Sequence, residues 1–284
     1  MVGRGLVTGP LPHRDAPDAA RGSVSEHDLR ATHVLDADPE LGSGLGAARF
    51  ATARREARAL VMNLDKGDWD QPTWSAGLRG GPGLLVLDGL LLRSVGMDGR
   101  YGAEMLGAGD LLRPWQHEDA FASVPRQSQL RALQRSRLAL LDIDFLRRVA
   151  PFPEISGQLV ARALLRSRQL AVNMAIVHQP RVETRLHMLL WQMADRWGSV
   201  GRDGVFVPIE LTHTILAELV AARRPTVSAA LRALEHENAI ERLAGGWQLH
   251  GLPPGELQAV NLVGVRKKGR GQPPRARPAG DQHR

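Results

Sequence analysis

The chain of 284 residues contains no cysteine. This absence excludes disulfides, zinc or iron–sulfur sites with cysteine ligands, and any cysteine nucleophile or redox switch. Aromatic residues are few, with six Trp, five Phe and one Tyr. No apolar run approaches the roughly 18 residues that a membrane-spanning helix requires, since the longest, Leu84–Leu92, is interrupted by Asp88 and Gly89. We therefore expect no membrane partner.

The N-terminus also lacks the pattern of a secretory signal. Residues 1–20 include Arg4, His13 and Arg14 but no continuous apolar core, so we expect a cytoplasmic protein. The chain has no P-loop, dinucleotide fingerprint, nucleophile elbow or metal-spaced set of His and carboxylates. We therefore do not expect an enzyme or a metal site.

Basic residues are concentrated at the C-terminal end. Residues 263–284 carry seven Lys or Arg against Asp281, which accounts for +6 of the formal net charge of +7. The rest of the chain is close to neutral. The basic character therefore describes a segment that we predict to be a disordered tail, and it says little about the folded part.

The first half of the chain predicts a β-rich domain. Residues 1–45 are rich in Gly, Pro, Asp and Ala without periodicity, which predicts a disordered N-terminal segment. The next predicted domain is 46–152. It begins with an expected helix over Ala47–Leu64, after which short apolar runs alternate with Gly, Pro and Asp, for example around Gly107–Asp110. Such spacing is typical of a small β-barrel or sandwich.

Helical periodicity follows this domain. A short helix capped by Asp142 or Asp144 is expected before Pro151. Residues 154–178 then predict a long helix, within a segment that spans 153–180. Its apolar seam alternates spacings of three and four residues, as in a coiled coil. We interpret the seam as a homodimer interface, and the alternative is a single buried helix in a monomer. The seam consists of Val160, Ala163, Ser167, Leu170, Met174 and Val177.

The predicted domain 181–262 contains two short helices joined by a tight turn. Leu211–Val220 predicts the first helix, with Thr212 or Thr214 at its start to satisfy free N–H groups. After the turn, Pro225 suits the start of a second helix, because its missing N–H costs nothing there. We interpret the pair as a helix-turn-helix. The alternatives are an ordinary αα-hairpin or a winged helix used for protein contacts.

A hairpin with a glycine turn follows the second helix and predicts a wing. Between Ala221 and Leu234 there are three arginines and no acid, although residues 181–262 together hold eight Lys or Arg and nine Asp or Glu. Positive charge is therefore placed on the helix that would enter the major groove of double-stranded DNA. The predicted DNA-contacting residues are Thr212, Thr214, Arg223, Arg224, Pro225, Thr226, Ser228, Ala229, Arg232, Gly245 and Gly246.

Leu216–Glu235, in which Thr226–Ser228 and Leu231 match well, resembles the helix-turn-helix of the cyclic AMP receptor protein (Crp/Fnr) superfamily of bacterial transcription factors. The resemblance covers about residues 47–262. It implies an α+β protein with an N-terminal cyclic-nucleotide-binding-like β-barrel, a long dimerisation helix and a C-terminal winged helix-turn-helix. It also implies a homodimeric transcriptional regulator that binds a near-palindromic site and contacts RNA polymerase.

The chain departs from this resemblance at the effector site. Cyclic-nucleotide binders of the family carry Gly-Glu and later Arg-Ser/Thr-Ala, which hold the ribose hydroxyl and the cyclic phosphate. Here Gly109-Asp110 is followed by no Gly-Glu, and Arg126 precedes Gln127-Ser128. We therefore expect no conventionally bound cyclic nucleotide and predict no cofactor, and the small-molecule effector stays unknown. Haem bound through His117 is an alternative, although a lone loop histidine is usually solvated.

A second departure lies in the recognition helix. Many relatives read bases with a Glu and an Arg where this chain has Pro225 and Ala229, whereas Arg224 is retained. We therefore expect a different target sequence, or more dependence on backbone contacts and DNA shape. The competing hypothesis is a degenerate family member that binds a protein partner, or that binds nucleic acid without sequence choice through its C-terminal tail.

Overall fold

The structure is a computed structural model that describes residues 29–69, 81–97, 100–113 and 127–254. The predicted tail 263–284 lies outside the described residues. Contacts divide the chain into two compact units, the first comprising the residues up to Val182 together with Leu211–Ala229, and the second Glu183–Glu210 with the residues from Ala230 onward. No helix in the described part is long and apolar enough to cross a membrane.

Two antiparallel sheets make up the body of the first unit. Their strands are β1 (Arg30–His33), β2 (Arg58–Leu64), β3 (Gly67–Trp69), β4 (Gly83–Asp88), β5 (Leu90–Met97), β6 (Arg100–Gly107), β7 (Leu111–Leu112), β8 (Gln127–Ala132) and β9 (Ser136–Leu141). The strand orders are β1-β2-β9-β4-β7 and β3-β8-β5-β6. In the described residues the sheets do not close into a barrel, so the domain is a two-sheet sandwich. The predicted α+β class is confirmed.

In strand β4, residues 84–87 are all apolar, without the alternation of apolar and polar residues that is typical of a strand with one exposed face. Leu84 and Val86 belong to a buried cluster that draws side chains from both sheets, including Leu91 of β5. Leu85 and Leu87 point the other way, into a second cluster that includes helical side chains. A strand buried on both faces needs apolar residues at every position. The first sheet is therefore the middle layer of the unit.

The N-terminal segment predicted to be disordered is folded from residue 30 onward. After β1 come α1 (Val34–Ala37) and a 3-10 helix, Pro39–Gly42. Val34 and Leu41 are completely buried in the cluster on the outer face of the first sheet. The prediction was wrong here because burial of Val34, Leu35 and Leu41 stabilises this segment, despite its composition rich in Gly, Pro and Asp. Residues 1–28 lie outside the described part.

The helix predicted over Ala47–Leu64 is also shorter than expected. It ends as α2 (Ala47–Glu56), and the chain continues as β2. In β2, Val61 faces one buried cluster and Met62 the other. The apolar residues of this stretch fit both a helical and a strand period, and pairing of β2 with β1 and β9 decides for the strand.

The predicted helices after residue 141 are present. Asp142 caps α3, since its side chain accepts a hydrogen bond from the Phe145 N–H at 2.6 Å. A four-stranded sheet with the order β10-β11-β13-β12 belongs to the second unit. The remaining elements are α3 (Ile143–Val149), α4 (Pro153–Val177), α5 (Val182–Trp197), β10 (Ser199–Gly201), β11 (Gly204–Val207), α6 (His213–Leu219), α7 (Arg224–His236), β12 (Ile240–Leu243) and β13 (Gly246–Leu249).

The unit boundary falls inside α7, whereas the sequence placed residues 181–262 in one domain. Helix α6 packs against β6 of the first unit. Ser94 Oγ on β5 donates a hydrogen bond to Glu218 Oε2 on α6 at 3.0 Å. These contacts explain why α6 and the start of α7 group with the sheets.

Candidate nucleic-acid interface

The start of α6 is defined by a side-chain cap. Thr212 has extended backbone angles, and its Oγ1 accepts a hydrogen bond from the Ile215 N–H at 3.2 Å. Thr212 is therefore the N-cap, and Thr214 lies within the first turn. Both threonines are exposed.

The end of α6 is closed by a backbone motif. The Ala222 N–H donates to the Ala217 carbonyl at 2.9 Å, and the Ala221 N–H donates to the Glu218 carbonyl at 3.3 Å. This pair of hydrogen bonds defines a Schellman motif. Ala221 occupies its left-handed position with φ of 50°, where glycine is the usual residue. The tight turn expected after α6 is therefore a defined structure.

Helix α7 separates its residues into two faces. It begins at Arg224, so Pro225 occupies the first turn as expected. Val227 and Leu231 are buried. The predicted contact residues on the other face are exposed; they are Arg223, Arg224, Pro225, Thr226, Ala229 and Arg232. The structure thus presents the three arginines of this segment to solvent.

Ser228 is placed differently from the other predicted contact residues. It is half-buried, and its Oγ donates a hydrogen bond to the Arg224 carbonyl at 3.1 Å. His213 Nδ1 lies 2.8 Å from the same hydroxyl. The Ser228 hydroxyl therefore joins α6 to α7, a role that sequence reasoning missed because it depends on a contact between helices.

The wing is the β12–β13 hairpin. Gly245 is exposed at the turn with φ of 86°, which favours glycine. Gly246 is buried, and a Cβ there would lie 2.0 Å from the Val207 carbonyl oxygen. Gly246 therefore allows the close approach of β11 and β13, and only Gly245 of the predicted pair is exposed.

Glu210 at the wing was not predicted from the sequence. Its Oε1 accepts a hydrogen bond from the Gly245 N–H at 3.0 Å. The two residues are 35 positions apart, and no local pattern signals such a contact. Arg242 in β12 places its guanidinium 5.7 Å from the centre of the Trp247 ring. The wing turn thus carries an acidic partner as well as a basic side chain.

Helix α4 exposes the predicted dimer seam. Val160 is 60% exposed and Met174 is 62% exposed, which is unusual for apolar side chains of this size. Leu164 and Leu165, which lie beside the seam on α4, are exposed as well. Among the seam residues, Val177 alone is half-buried. The described chain therefore leaves a wide apolar face on α4 without cover.

The inward face of α4 changes from apolar to charged along the helix. Ile155 and Leu159 are buried in the core. Farther along, Arg166 Nη2 lies 2.6 Å from Glu104 Oε1, and Arg93 Nη2 lies 2.5 Å from the same oxygen. Burial lowers the pKa of the Arg93 guanidinium below its usual value, despite the attraction of Glu104. One carboxylate is thus shared by two guanidinium groups.

A cavity of about 620 Å³ adjoins this ion cluster in the first unit. Arg93, Arg113 and Arg166 line it together with seam residues such as Val160 and Ser167. His117 and Arg126, which bear on the predictions for haem and cyclic nucleotides, lie outside the described residues. No group of three or more His or carboxylate side chains in the described residues is arranged to hold a metal ion.

Comparison with known proteins bears on the C-terminal part first. Residues 184–259 match the model of the Crp-like helix-turn-helix domain. A CRP-like cAMP-activated global transcriptional regulator of Mycobacterium tuberculosis is 35% identical over 122 residues, which is 43% of this chain and 54% of the relative. The chain thus spans about half the length of the curated relatives that it matches.

Two solved structures extend the similarity to the whole fold. A mutant of CooA from Carboxydothermus hydrogenoformans superposes with a TM-score of 0.55 and 17% identity, covering 86% of this chain and 98% of that one. A cyclic nucleotide-binding domain containing protein from Listeria monocytogenes has a TM-score of 0.53 and 16% identity, covering 66% and 87%. At these identities the likeness shows the fold alone.

The chain therefore contains a two-sheet sandwich, a long helix and a winged helix-turn-helix. Residues 184–259 are thus similar to the Crp-like helix-turn-helix domain, and the fold is similar to those of the two solved structures.

Proposed function

We propose that the protein is a homodimeric regulator that binds double-stranded DNA sequence-specifically through α7. The observation that carries this proposal is the exposed face of α7 with Arg224 and Arg232, in a segment, Ala221–Leu234, that holds no acidic residue and lies within the matched Crp-like helix-turn-helix domain. Helices of this kind enter the major groove, where base edges carry a distinctive pattern of donors and acceptors. Residues 181–262 together hold one more acidic than basic residue. The arginines around α7 are therefore a local cluster, which general basic character of the domain does not explain.

Each exposed side chain has a proposed role. Arg224 at the start of α7 reads a base, since paired Arg–guanine hydrogen bonds discriminate by about 1–3 kcal/mol. The other polar and basic groups hold phosphates and position the helix without carrying sequence information. These groups are Thr212, Thr214, Arg223, Thr226 and Arg232.

The exposed apolar seam of α4 supports the proposed homodimer. Two copies that pair through Val160, Leu170 and Met174 bury these side chains at a twofold axis. Two symmetry-related recognition helices then require a near-palindromic site with half-sites about one helical turn apart.

Selection of bound duplexes from a random pool with purified full-length protein tests DNA recognition. We expect a near-palindromic motif. The variant R224A should relax base preference at one position of each half-site, whereas R232A should weaken binding to all duplexes alike. R147A on α3 is the matched control. Failure to enrich any motif contradicts the proposal.

The dimer is tested separately by sedimentation. M174E should shift the protein towards a monomer and weaken binding to the full site. V200E is the control, since Val200 is an exposed apolar residue in the second unit outside the seam. A dimer that survives both M174E and V160E argues against the seam.

The effector is proposed to be something other than a conventionally bound cyclic nucleotide, because the Gly-Glu after Gly109-Asp110 is absent. The second candidate is cyclic AMP, since the Mycobacterium tuberculosis relative is cAMP-activated. Titration with cyclic AMP, followed by calorimetry and DNA affinity, separates the two. Binding that raises DNA affinity contradicts the first candidate. Contact with RNA polymerase stays a proposal that follows from the family.

Deletion of residues 263–284 addresses the competing hypothesis of sequence-independent binding. Specific affinity should largely survive, and only the salt-dependent component should fall, because each neutralised phosphate contributes about 0.9 to the slope of log affinity against log salt. Loss of all binding would favour the degenerate family member.

A further inference from the structure

We propose that Glu210 limits the affinity of the wing for the DNA backbone, by occupying the main-chain donor that a phosphate would use. This inference rests on the proposed DNA binding and names a residue that restrains it. The wing turn is the part of the second unit where a backbone contact is expected, since Gly245 is exposed there.

The first step of the argument is the hydrogen bond. The Gly245 N–H lies at an open turn where a Cβ would meet nothing within 4 Å. Main-chain N–H groups in turns with positive φ are common donors to phosphate oxygens. Here the donor is already used, because Glu210 Oε1 accepts from it at 3.0 Å. A phosphate must displace one anionic acceptor to reach this N–H.

The second step is the charge of the wing. Residues 240–246 contain Glu241 and Arg242 and no other charged side chain, so the hairpin is neutral by itself. Glu210 adds a negative charge at the turn, and it is exposed. A phosphate that approaches Gly245 therefore meets repulsion that is independent of base sequence.

Two substitutions at Glu210 separate repulsion from positioning. E210Q keeps an acceptor oxygen for the Gly245 N–H and removes the charge. E210A removes both. D195N is the matched control, since it neutralises an exposed carboxylate of α5 in the same unit, outside the helix-turn-helix and the wing.

Fluorescence anisotropy with the selected duplex and with a scrambled duplex measures the effect over a range of salt. Removing one charge about 7 Å from a phosphate in water tightens binding about threefold. A dimer places two wings on the duplex, so E210Q and E210A should bind both duplexes roughly tenfold more tightly. The salt slope should steepen by up to about 0.9 for each wing. D195N should match the wild type.

The outcomes discriminate clearly. If E210A weakens binding while E210Q does not change it, Glu210 merely positions the wing, and the proposal is overturned. Unchanged affinity in both variants overturns it as well, while the proposed function stands, because the wild type still binds its site. If the wild type and the variants all fail to bind DNA, the proposed function fails and the inference falls with it.

Discussion

Neutralising Glu104 should lower the free energy of unfolding of the first unit more than removing one partner of an ion pair at the protein surface does. In the wild type its buried carboxylate is shared by Arg93 and Arg166, whose side chains are 6% and 15% exposed. The side chain of Glu104 is 8% exposed. E104Q preserves its size but leaves two guanidinium groups facing each other with little solvent.

The expected cost follows from this geometry. Removing one partner of a buried ion pair typically costs about 3–5 kcal/mol, because the remaining charge is left uncompensated. Arg166 keeps its hydrogen bond to the Leu111 carbonyl at 2.7 Å, which favours the lower end of that range. For an m-value of about 2 kcal/mol/M in urea, the midpoint should fall by roughly 1.5–2 M.

Urea titration of the full chain, followed by far-ultraviolet circular dichroism, measures the change. D144N is the control, because Asp144 pairs with Arg147 at the surface, and exposed pairs contribute about 0–1 kcal/mol. A loss below about 1 kcal/mol in E104Q would refute the reasoning. Replacing all three ionic residues with Met should be close to neutral, since apolar residues of similar volume remove the desolvation penalty.

Three smaller changes test local features. D142A removes the N-cap of α3 and should lower the free energy of unfolding by about 1 kcal/mol. D142N retains an acceptor for the Phe145 N–H and should lower it little. Thermal unfolding of the two variants measures the difference. A221G should raise the free energy of unfolding by about 0.5–1 kcal/mol by relieving a left-handed alanine, and a decrease would argue against strain at this turn. The hydrogen bond from Arg54 lowers the pKa of Asp36, so its contribution is present above the unfolded pKa and is lost as pH falls through the folded one. NMR titration of R54A should show that pKa rising towards its usual value, and an unchanged pKa would rule out this cause.

Features that depend on neighbouring residues were predictable. The long helix, its exposed seam, the Thr212 cap and the hairpin around Gly245 all follow from periodicity and backbone preference within a few residues. The matched Crp-like domain lies in the region with the strongest of these patterns. The roles of the DNA-contacting and seam residues remain predictions.

Features that depend on contacts across the chain were missed. The N-terminal segment folds because Val34 and Leu41 pack against a sheet formed by later residues. Helix α2 ends early because the residues after it form β2, which pairs with β9. Ser228 is engaged between α6 and α7, an arrangement that its own helix does not reveal.

The sequence by itself therefore determined the long helix α4 and the helix-turn-helix with its hairpin, whose patterns lie within a few residues. Tertiary structure decided where α2 ends, the fold of the N-terminal segment, and which charges far apart in the sequence meet. Glu104 and Arg166 are separated by 62 positions, and Glu210 and Gly245 by 35. Local conformational preference acts over one or two turns of chain, whereas an ion pair or a main-chain hydrogen bond of this kind forms only after packing has brought distant segments together.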